Sequence, residues 1–332
     1  MALLSAGAAT LSDMAKRVDP DGKISAIVEL LGQSNEMLLD MQFMEGNLPT
    51  GHRTTVRTGL PAVAWRLLNQ GVATSKSTTA QIDEQCGMLE AWSEVDKDLA
   101  ELNGNTSSFR LSEGQAYIES MNQEMQQTVI YGNSGVAPEE FTGLSIRYSL
   151  ASATSGQNLI KAGGSGSDNS SIWLIGWGAN TVAGIFPKGS KAGLVHEDLG
   201  LQTVEVTAGV GGSRMRAYQD HWQWKCGIAV KDWRYAVRIC NIDISNLVAK
   251  SSAADLVDKM IMAMHRIPNI AMCKPAFYMN RTCIEMLDIQ RRDDALGAGM
   301  SYGEVDGKRT MSFRGVPIRL VDQLLETEAT VS

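Results

Sequence analysis

Residues 48–96 read LPTGHRTTVRTGLPAVAWRLLNQGVATSKSTTAQIDEQCGMLEAWSEVD, and no pairing of this stretch with itself makes a stable unit. It opens on a Pro-Thr-Gly turn and carries β-favouring segments at Thr54–Thr58 and Val63–Leu68. A polar tip follows from Gly71 to Thr79, and a returning strand runs around Ala80–Val95. The pattern predicts a long hairpin. Its apolar residues are sparse and mixed with charge, and an isolated two-stranded hairpin is marginal in water. The hairpin therefore has to lie across something else. If that is its own domain, the mixed charges are a solvated face; if it is a neighbouring subunit, they meet complementary charges there. On the second reading the interface residues are Arg53, Arg57, Trp65, Arg66, Lys76, Asp83, Glu84 and Glu90.

Before the hairpin, Ile24, Ile27, Val28, Leu31, Leu38 and Met41 give an amphipathic helical stripe, interrupted around Gly32 and Asn35, that predicts an arm. It packs on its own domain or on a neighbour. After the hairpin, Ser112 is a plausible cap for a long helix over 112–131, with Tyr117, Met121, Met125, Thr128 and Val129 along one side. Gly132, Asn133, Gly135 and Pro138 then end it in a tight loop.

The run GQNLIKAGGSGSDNSS, Gly156–Ser171, has the composition of a linker and marks a soft boundary. Beyond it, SSIWLIGWGANTVAGIF and MRAYQDHWQWKCGIAVKDWRYAVRICNI read as strands, the second with a turn near Val230–Asp232. Trp222, Trp224 and Trp233 could stack on bases, but packing on a strand face suits them better, because no charge of one sign surrounds them. SSAADLVDKMIMAMHRIP predicts a helix entered near Ser252 and closed by Pro268. A short strand at Ala276–Met279 turns through Asn280 into a helix from Thr282. The end of the chain reads as strands, with Pro317 at an edge or a bend. This order of elements is α+β rather than a regular βαβ alternation.

Enzyme signatures are missing. GEVDGKRT, Gly303–Thr310, has three residues rather than four between its glycines and Arg309 in place of the hydroxyl after lysine, so it fails as a phosphate loop. There is no GxGxxG after a strand, no HExxH and no GxSxG. The five cysteines form no CxxC pair and the four histidines are scattered, so neither a metal site nor a cofactor is expected. A net charge of −7 argues against a surface that coats nucleic acid, which needs lysine and arginine on phosphates. The start, MALLSAGAATLSDMAKR, has no basic region ahead of its apolar run, so no export signal is expected. No stretch approaches the roughly eighteen apolar residues of a membrane span. The expected site of synthesis and assembly is the cytoplasm.

Two motifs carry a family resemblance. YGNSGVAPEEFTGL, Tyr131–Leu144, directly after the long helix, resembles the segment after the spine helix of tailed-bacteriophage major capsid proteins, with its Gly-Asn or Gly-Asp, proline and Phe-x-Gly-Leu in that order. MSFRGVPIRLVDQL, Met311–Leu324, is similar to their terminal strand pair, with Gly-x-Pro-Ile/Val and a downstream aspartate. The order of parts agrees with both.

The resemblance implies the Hong Kong phage 97-like capsid fold, α+β. Its expected parts are an N-terminal arm (1–47), an extended hairpin loop (48–96), a peripheral domain with the spine helix (97–150), an axial domain (151–250), and remaining axial and peripheral elements with the terminal strands (251–332). It implies a shell protein of the virion that assembles as pentamers and hexamers into an icosahedral container. That container encloses double-stranded DNA without sequence-specific binding. The implied partners are further copies of the chain, a separate scaffolding protein, a portal and a decoration protein, with no membrane. Some relatives crosslink a hairpin lysine to a neighbour's asparagine, for which Lys76 and Asn280 are the nearest candidates by type and region. Two alternatives stay open. One is an encapsulin-like compartment, which gene neighbours would separate from a phage shell; the other is a cytoplasmic enzyme built from scattered groups such as His196, Asp198 and His221.

Overall fold

A computed structural model describes residues 33–102, 106–205, 214–293, 300–305 and 308–332. Residues 24–32 of the predicted arm lie outside these. The remainder of that stretch does not continue as a helix. α1 (Met37–Asp40) is a single turn, and β1 (Phe43–Glu45) pairs parallel with Gly184–Phe186. Met37 and Met41 are buried in the core, so apolar spacing that reads as helical serves a turn and the start of a strand.

β2 (Gly51–Gly59) and β3 (Thr78–Gln85) form the hairpin, a separate two-stranded sheet. The returning strand predicted at Ala80–Val95 is broken at Cys86. Its second half, β4 (Gly87–Asp96), leaves the hairpin and pairs elsewhere. The break is steric: Gly51 sits so close to Glu84 that a Cβ would lie 1.9 Å from the Glu84 carbonyl, and Cys86 N–H turns back to donate to Thr50 O. Alternate residues of β4 then face the long helix. No strand forms at Val63–Leu68, which belongs to the exposed tip.

α2 (Lys97–Glu101) is capped by Asp96, whose side chain accepts from the Asp98 and Leu99 N–H groups. α3 (Thr106–Tyr131) is the long helix expected after the hairpin, and it starts earlier than Ser112. Phe109 is the reason, since it is buried against Val95 and Ala100 and extends the core one turn further back. Met121, Met125, Thr128 and Val129 are buried as the stripe predicts. The loop after α3 closes on itself: Gly143 N–H donates to Gly132 O at 2.8 Å, and a Cβ on Gly132 would meet the Phe141 and Thr128 carbonyls at 2.5 Å. Gly132 and Gly143, two of the three glycines of the YGNSGVAPEEFTGL motif, are thus the points where backbone touches backbone. α4 (Leu144–Arg147) follows.

The predicted linker, Gly156–Ser171, holds structure. It contains part of a 3₁₀ turn (Thr154–Asn158), β5 (Leu159–Lys161) and the start of β6 (Asn169–Trp177). Every residue of β6 is buried, including Ile172, Trp173, Leu174, Ile175 and Trp177, and each such aliphatic side chain stabilises the fold by about 1.5–3 kcal/mol. β7 (Val182–Phe186), β8 (Leu194–Glu205), β9 (Arg214–Val230) and β10 (Ala236–Asp243) come next. β10 and β6 pair antiparallel at the centre of the sheet, with β5 beside β10.

β9 joins two regions. Its last residues, Gly227–Val230, pair with β7, while Ala217–Cys226 pair with β4 and Arg214–Trp224 with β8. Residues 194–205 and 214–226, predicted within an axial domain, therefore form a three-stranded ribbon with β4, and α3 lies along it. Non-local pairing of this kind has no periodicity to announce it.

α5 (Ile244–Ala249), α6 (Leu256–Arg266), β11 (Lys274–Met279) and α7 (Arg281–Asp293) add the helices that bury Leu247, Leu256, Met260, Ala263 and Leu287 in the core. The cap of α6 is Asp255, which accepts from Asp258 N–H, and not Ser252, which adopts φ 54° outside the helix. β12 (Met300–Val305), β13 (Lys308–Phe313) and β14 (Val316–Leu320) complete the sheet. β13 and β14 are joined by Arg314 and Gly315, with φ 48° and 84°, a tight turn needing two left-handed residues. Pro317 is neither at an edge strand nor at a bend. It precedes the residues, Ile318–Leu320, that pair with β11, so its missing N–H removes no bond there.

The final residues strap the core. Glu328, buried, accepts from Arg238 Nη2 at 3.0 Å, from Tyr131 Oη at 2.5 Å and from Ser171 Oγ. Asn241 reads the Val331 backbone with both amide atoms, at 2.8 and 2.9 Å.

Candidate assembly interface

The hairpin strands are held in register by one charged pair and anchored to the body by another. Arg53 and Asp83 face each other directly across β2 and β3, and both Nε and Nη2 of Arg53 reach the carboxylate at 2.6 Å. The Arg53 hydrogen bonds hold the Asp83 carboxyl below its usual range, and the same contact raises the guanidinium. At the root, Arg147 of α4 makes a second two-pronged pair with Glu84, both bonds 2.6 Å, while it also donates to Thr142 O. Glu84 is buried, so this pair resists solvent where the first does not. Asn47 adds a third clasp, accepting from Arg53 N–H and donating to Arg53 O.

Beyond these clasps Thr54–Thr58 still wall a cleft with Arg147, Lys231 and Asp232 of the body, and from Leu60 to Ser77 the hairpin is exposed. Nine residues of β2 reach roughly 30 Å at about 3.3 Å each. Arg57, Arg66 and Lys76 have no ion-pair partner among the described residues, and Trp65 is fully exposed. Around Trp65 the tip also exposes Leu60, Val63, Leu67 and Leu68, with Val63 at 92%. The tip's hydrogen bonds are internal: Ser75 Oγ donates to Ala62 O and Gln70 N–H to Leu67 O. An apolar tip on a charged stalk is not a solvated loop, because solvated loops are polar.

Of the eight predicted residues the structure pairs Arg53 with Asp83, directs Glu84 inward to Arg147, and leaves Arg57, Trp65, Arg66 and Lys76 projecting. Glu90 is not on the hairpin. It lies on β4, where Gln223 donates to it and His221 Nε2 sits 3.5 Å away, stacked on Trp92 at 4.2 Å. Asn280, weighed as a crosslinking partner for Lys76, is 3% exposed and fully engaged. Its Oδ1 caps α7 through Cys283 N–H, and its Nδ2 donates to Ser170 and Glu326. No outside lysine reaches it in this arrangement.

The scattered groups His196, Asp198 and His221 are not brought together. His221 stacks on Trp92 on one face of the ribbon, while His196 and Asp198 lie on the other face beside α3. There Arg110 Nη2 donates to Asp198 at 2.6 Å and Asp220 at 2.8 Å, and His196 Nε2 is 3.0 Å from Asp220. Burial opposes the Arg110 charge, but the two carboxylates outweigh it and raise the guanidinium; Asp198 is held low by Arg110 and the Gly200 N–H. Tyr117 and His196 both stack on Trp222, at 5.1 and 5.0 Å, so this tryptophan is packing and not a base platform. The arrangement fastens α3 to the ribbon. Burial pushes the Cys226 and Cys283 thiols up to about 12, far from nucleophilic use.

Sequence reasoning missed the apolar tip, Arg147 and Arg110. The tip had a signal: PAVAWRLL carries apolar residues that the polar return, Gly71–Thr79, cannot cover. Arg147 and Arg110 had none, since their partners are 63, 88 and 110 positions away.

Comparison with known proteins places this geometry. A family model described as major capsid protein GP7 matches residues 19–332. A chain in the cryo-electron microscopy structure of bacteriophage Epsilon15 is 35% identical, with a TM-score of 0.80, covering 100% of this chain and 99% of that one. A chain of Mycobacterium phage Adephagia matches at 10% identity and a TM-score of 0.43, covering 67% of this chain and 92% of its own. A comparison with curated sequences returned no match.

Proposed function

This chain belongs to the major capsid protein GP7 family and has the Hong Kong phage 97-like fold, and from that premise we propose that it builds the virion shell as pentamers and hexamers around double-stranded DNA, with the hairpin as its intersubunit arm. The observation that carries the role of the hairpin is its tip: Leu60, Val63, Trp65, Leu67 and Leu68 stand in solvent on a stalk whose strands the Arg53–Asp83 pair holds together and whose root the Arg147–Glu84 pair anchors. Apolar surface of that kind is removed from water when a neighbour covers it. Many modest contacts repeated by symmetry then close a stable container without one dominant pair.

On this reading residues 51–85 are the arm. The peripheral layer comprises α3 and the ribbon of β4, β8 and β9, and the central sheet around β6 and β10 with its helices supplies the axial part. The family match favours a phage shell over an enzyme-filled compartment, and a structural role over catalysis. A scaffolding protein, a portal and a decoration protein are the further partners proposed. The net charge of −7 suits a shell that encloses DNA without gluing it down.

Negative-stain microscopy of the purified chain, alone and co-expressed with a scaffold, tests the reading. Capsomers or shells are expected; uniform monomers or dimers under both conditions would overturn it.

A further inference from the structure

The course of the chain beside α3 shows where the residues before Gln33 lead. Gln33 N–H donates to Glu119 Oε1 at 2.9 Å, and Gln126 Nε2 reaches Met37 Sδ at 3.3 Å. From Glu119 to Gln126 the helix rises about 10 Å, so residues 33–37 run toward its C-terminal end. Followed backwards from Gln33, the chain heads for the N-terminal half of α3.

That half carries a groove of about 380 Å³, which Leu111, Gly114 and Ile118 line together with Leu194 and Trp222 of the ribbon. Gly114 keeps it open, because a Cβ there would stand 3.3 Å from the indole of Trp222. The charged groups of the groove are already matched within the subunit. Arg110 donates to Asp198 and Asp220, and His196 Nε2 is 3.0 Å from Asp220. What no described residue covers is the apolar rim, where Leu111 is 66% and Ile118 45% exposed.

The segment directly before Gln33 has the complementary chemistry. Ile24, Ile27, Val28 and Leu31 recur at the spacing of one helical face, between the turn-forming Pro20-Asp21-Gly22 and Gly32. Eight helical residues extend about 12 Å, and the rim from Leu111 to Ile118 extends about 10 Å. Leu31 is tied to Gln33 through Gly32, within about 7 Å of the helix that carries the groove.

We infer that residues 24–31 lie in the α3 groove of their own subunit, with Ile24, Ile27, Val28 and Leu31 set against Leu111, Ile118 and Leu194. The sequence leaves this stripe two placements, on its own domain or on a neighbour, and the direction of the chain at Gln33 selects the first. The inference does not depend on the role of the hairpin. It shortens the N-terminal stretch that can reach another copy to the residues before Ile24.

The test places the photocrosslinking residue p-benzoyl-phenylalanine at Ile27 in a minor, isotopically heavy fraction of subunits within assembled shells that are otherwise light. Heavy subunits then have mostly light neighbours, so a heavy-to-heavy crosslink reports contact within one chain. Heavy-to-heavy crosslinks from residue 27 to 107–118 or 194–198 are expected. Mainly heavy-to-light crosslinks to those residues would place the segment on a neighbour and overturn the inference. Crosslinks confined to other surfaces would give the groove to another occupant and overturn it as well. Hydrogen exchange of the full chain gives a second readout. In Leu111→Asp with Ile118→Asp, the amides of residues 24–31 should exchange at least tenfold faster than in wild type, while those of β6 and β10 keep their rates. Unchanged exchange at residues 24–31 would contradict the assignment.

Discussion

Arg147 and Glu84 meet through two parallel hydrogen bonds of 2.6 Å, and this buried pair joins the root of the hairpin to the short helix that follows the spine loop. The contact sets the direction in which the arm leaves the body. Arg147→Met leaves Glu84 buried and charged without its partner, and is expected to cost about 3 kcal/mol. Urea unfolding of the subunit should show that loss. Adding Glu84→Gln to Arg147→Met should recover part of it, since the double variant no longer buries a lone charge; purely additive losses would contradict the coupling.

Arg57→Glu and Arg66→Glu change exposed side chains that have no ion-pair partner among the described residues. Such substitutions usually stay within about 0.5 kcal/mol of wild-type stability. Correctly folded subunits by circular dichroism that fail to sediment as capsomers or shells are the expected result.

Trp65→Ala removes the largest side chain of the tip. Interface tryptophans cost about 2 kcal/mol or more when truncated, and the loss recurs at every copy of the contact. The threshold concentration for assembly, followed by light scattering, should rise more than about tenfold while the melting temperature of the subunit is unchanged.

Asp198 is held low by Arg110, with the Gly200 N–H adding to the effect. A lowered carboxylate contributes stability that is present above its unfolded pKa of about 4 and is lost as pH falls through the lower folded value. Asp198 is half-exposed, so solvent screens the contribution to under about 1 kcal/mol. Asp198→Asn should therefore be less stable than wild type at pH 6, with a gap that narrows progressively as pH falls below about 4. A gap that is constant across this range would assign the effect to packing.

Cys226 and Cys283 have thiols raised to about 12 by burial. At pH 8 an alkylating reagent should modify them roughly a thousandfold more slowly in the folded subunit than in urea, because so little thiolate forms. Comparable rates in both conditions would mean that the core around β9 and α7 opens readily.

The parts that the sequence made legible are those whose physics is local. The Met121, Met125 and Val129 stripe and the paired glycines after α3 each report a face or a turn within a few residues, and the apolar run around Trp173 reports a buried strand. What stayed hidden was set by partners far along the chain. The break at Cys86 follows from crowding between Gly51 and Glu84, and β9 divides its pairing between β7 and the ribbon. Residue type and charge marked Arg53, Asp83 and Glu84 as groups for a neighbouring subunit, whereas within the chain Arg53 pairs with Asp83 and Glu84 with Arg147, choices set by strand register and by a partner 63 positions away. Val63–Leu68 misled because β-favouring residues without a partner strand become an exposed apolar tip.

Cryo-electron microscopy of particles assembled from this chain, at a resolution that traces side chains, examines the central claim most directly. Closed icosahedral shells of pentamers and hexamers, with residues 51–85 of each subunit lying across its neighbour, are predicted. A hairpin folded back on its own subunit, or the absence of any shell, would contradict the account.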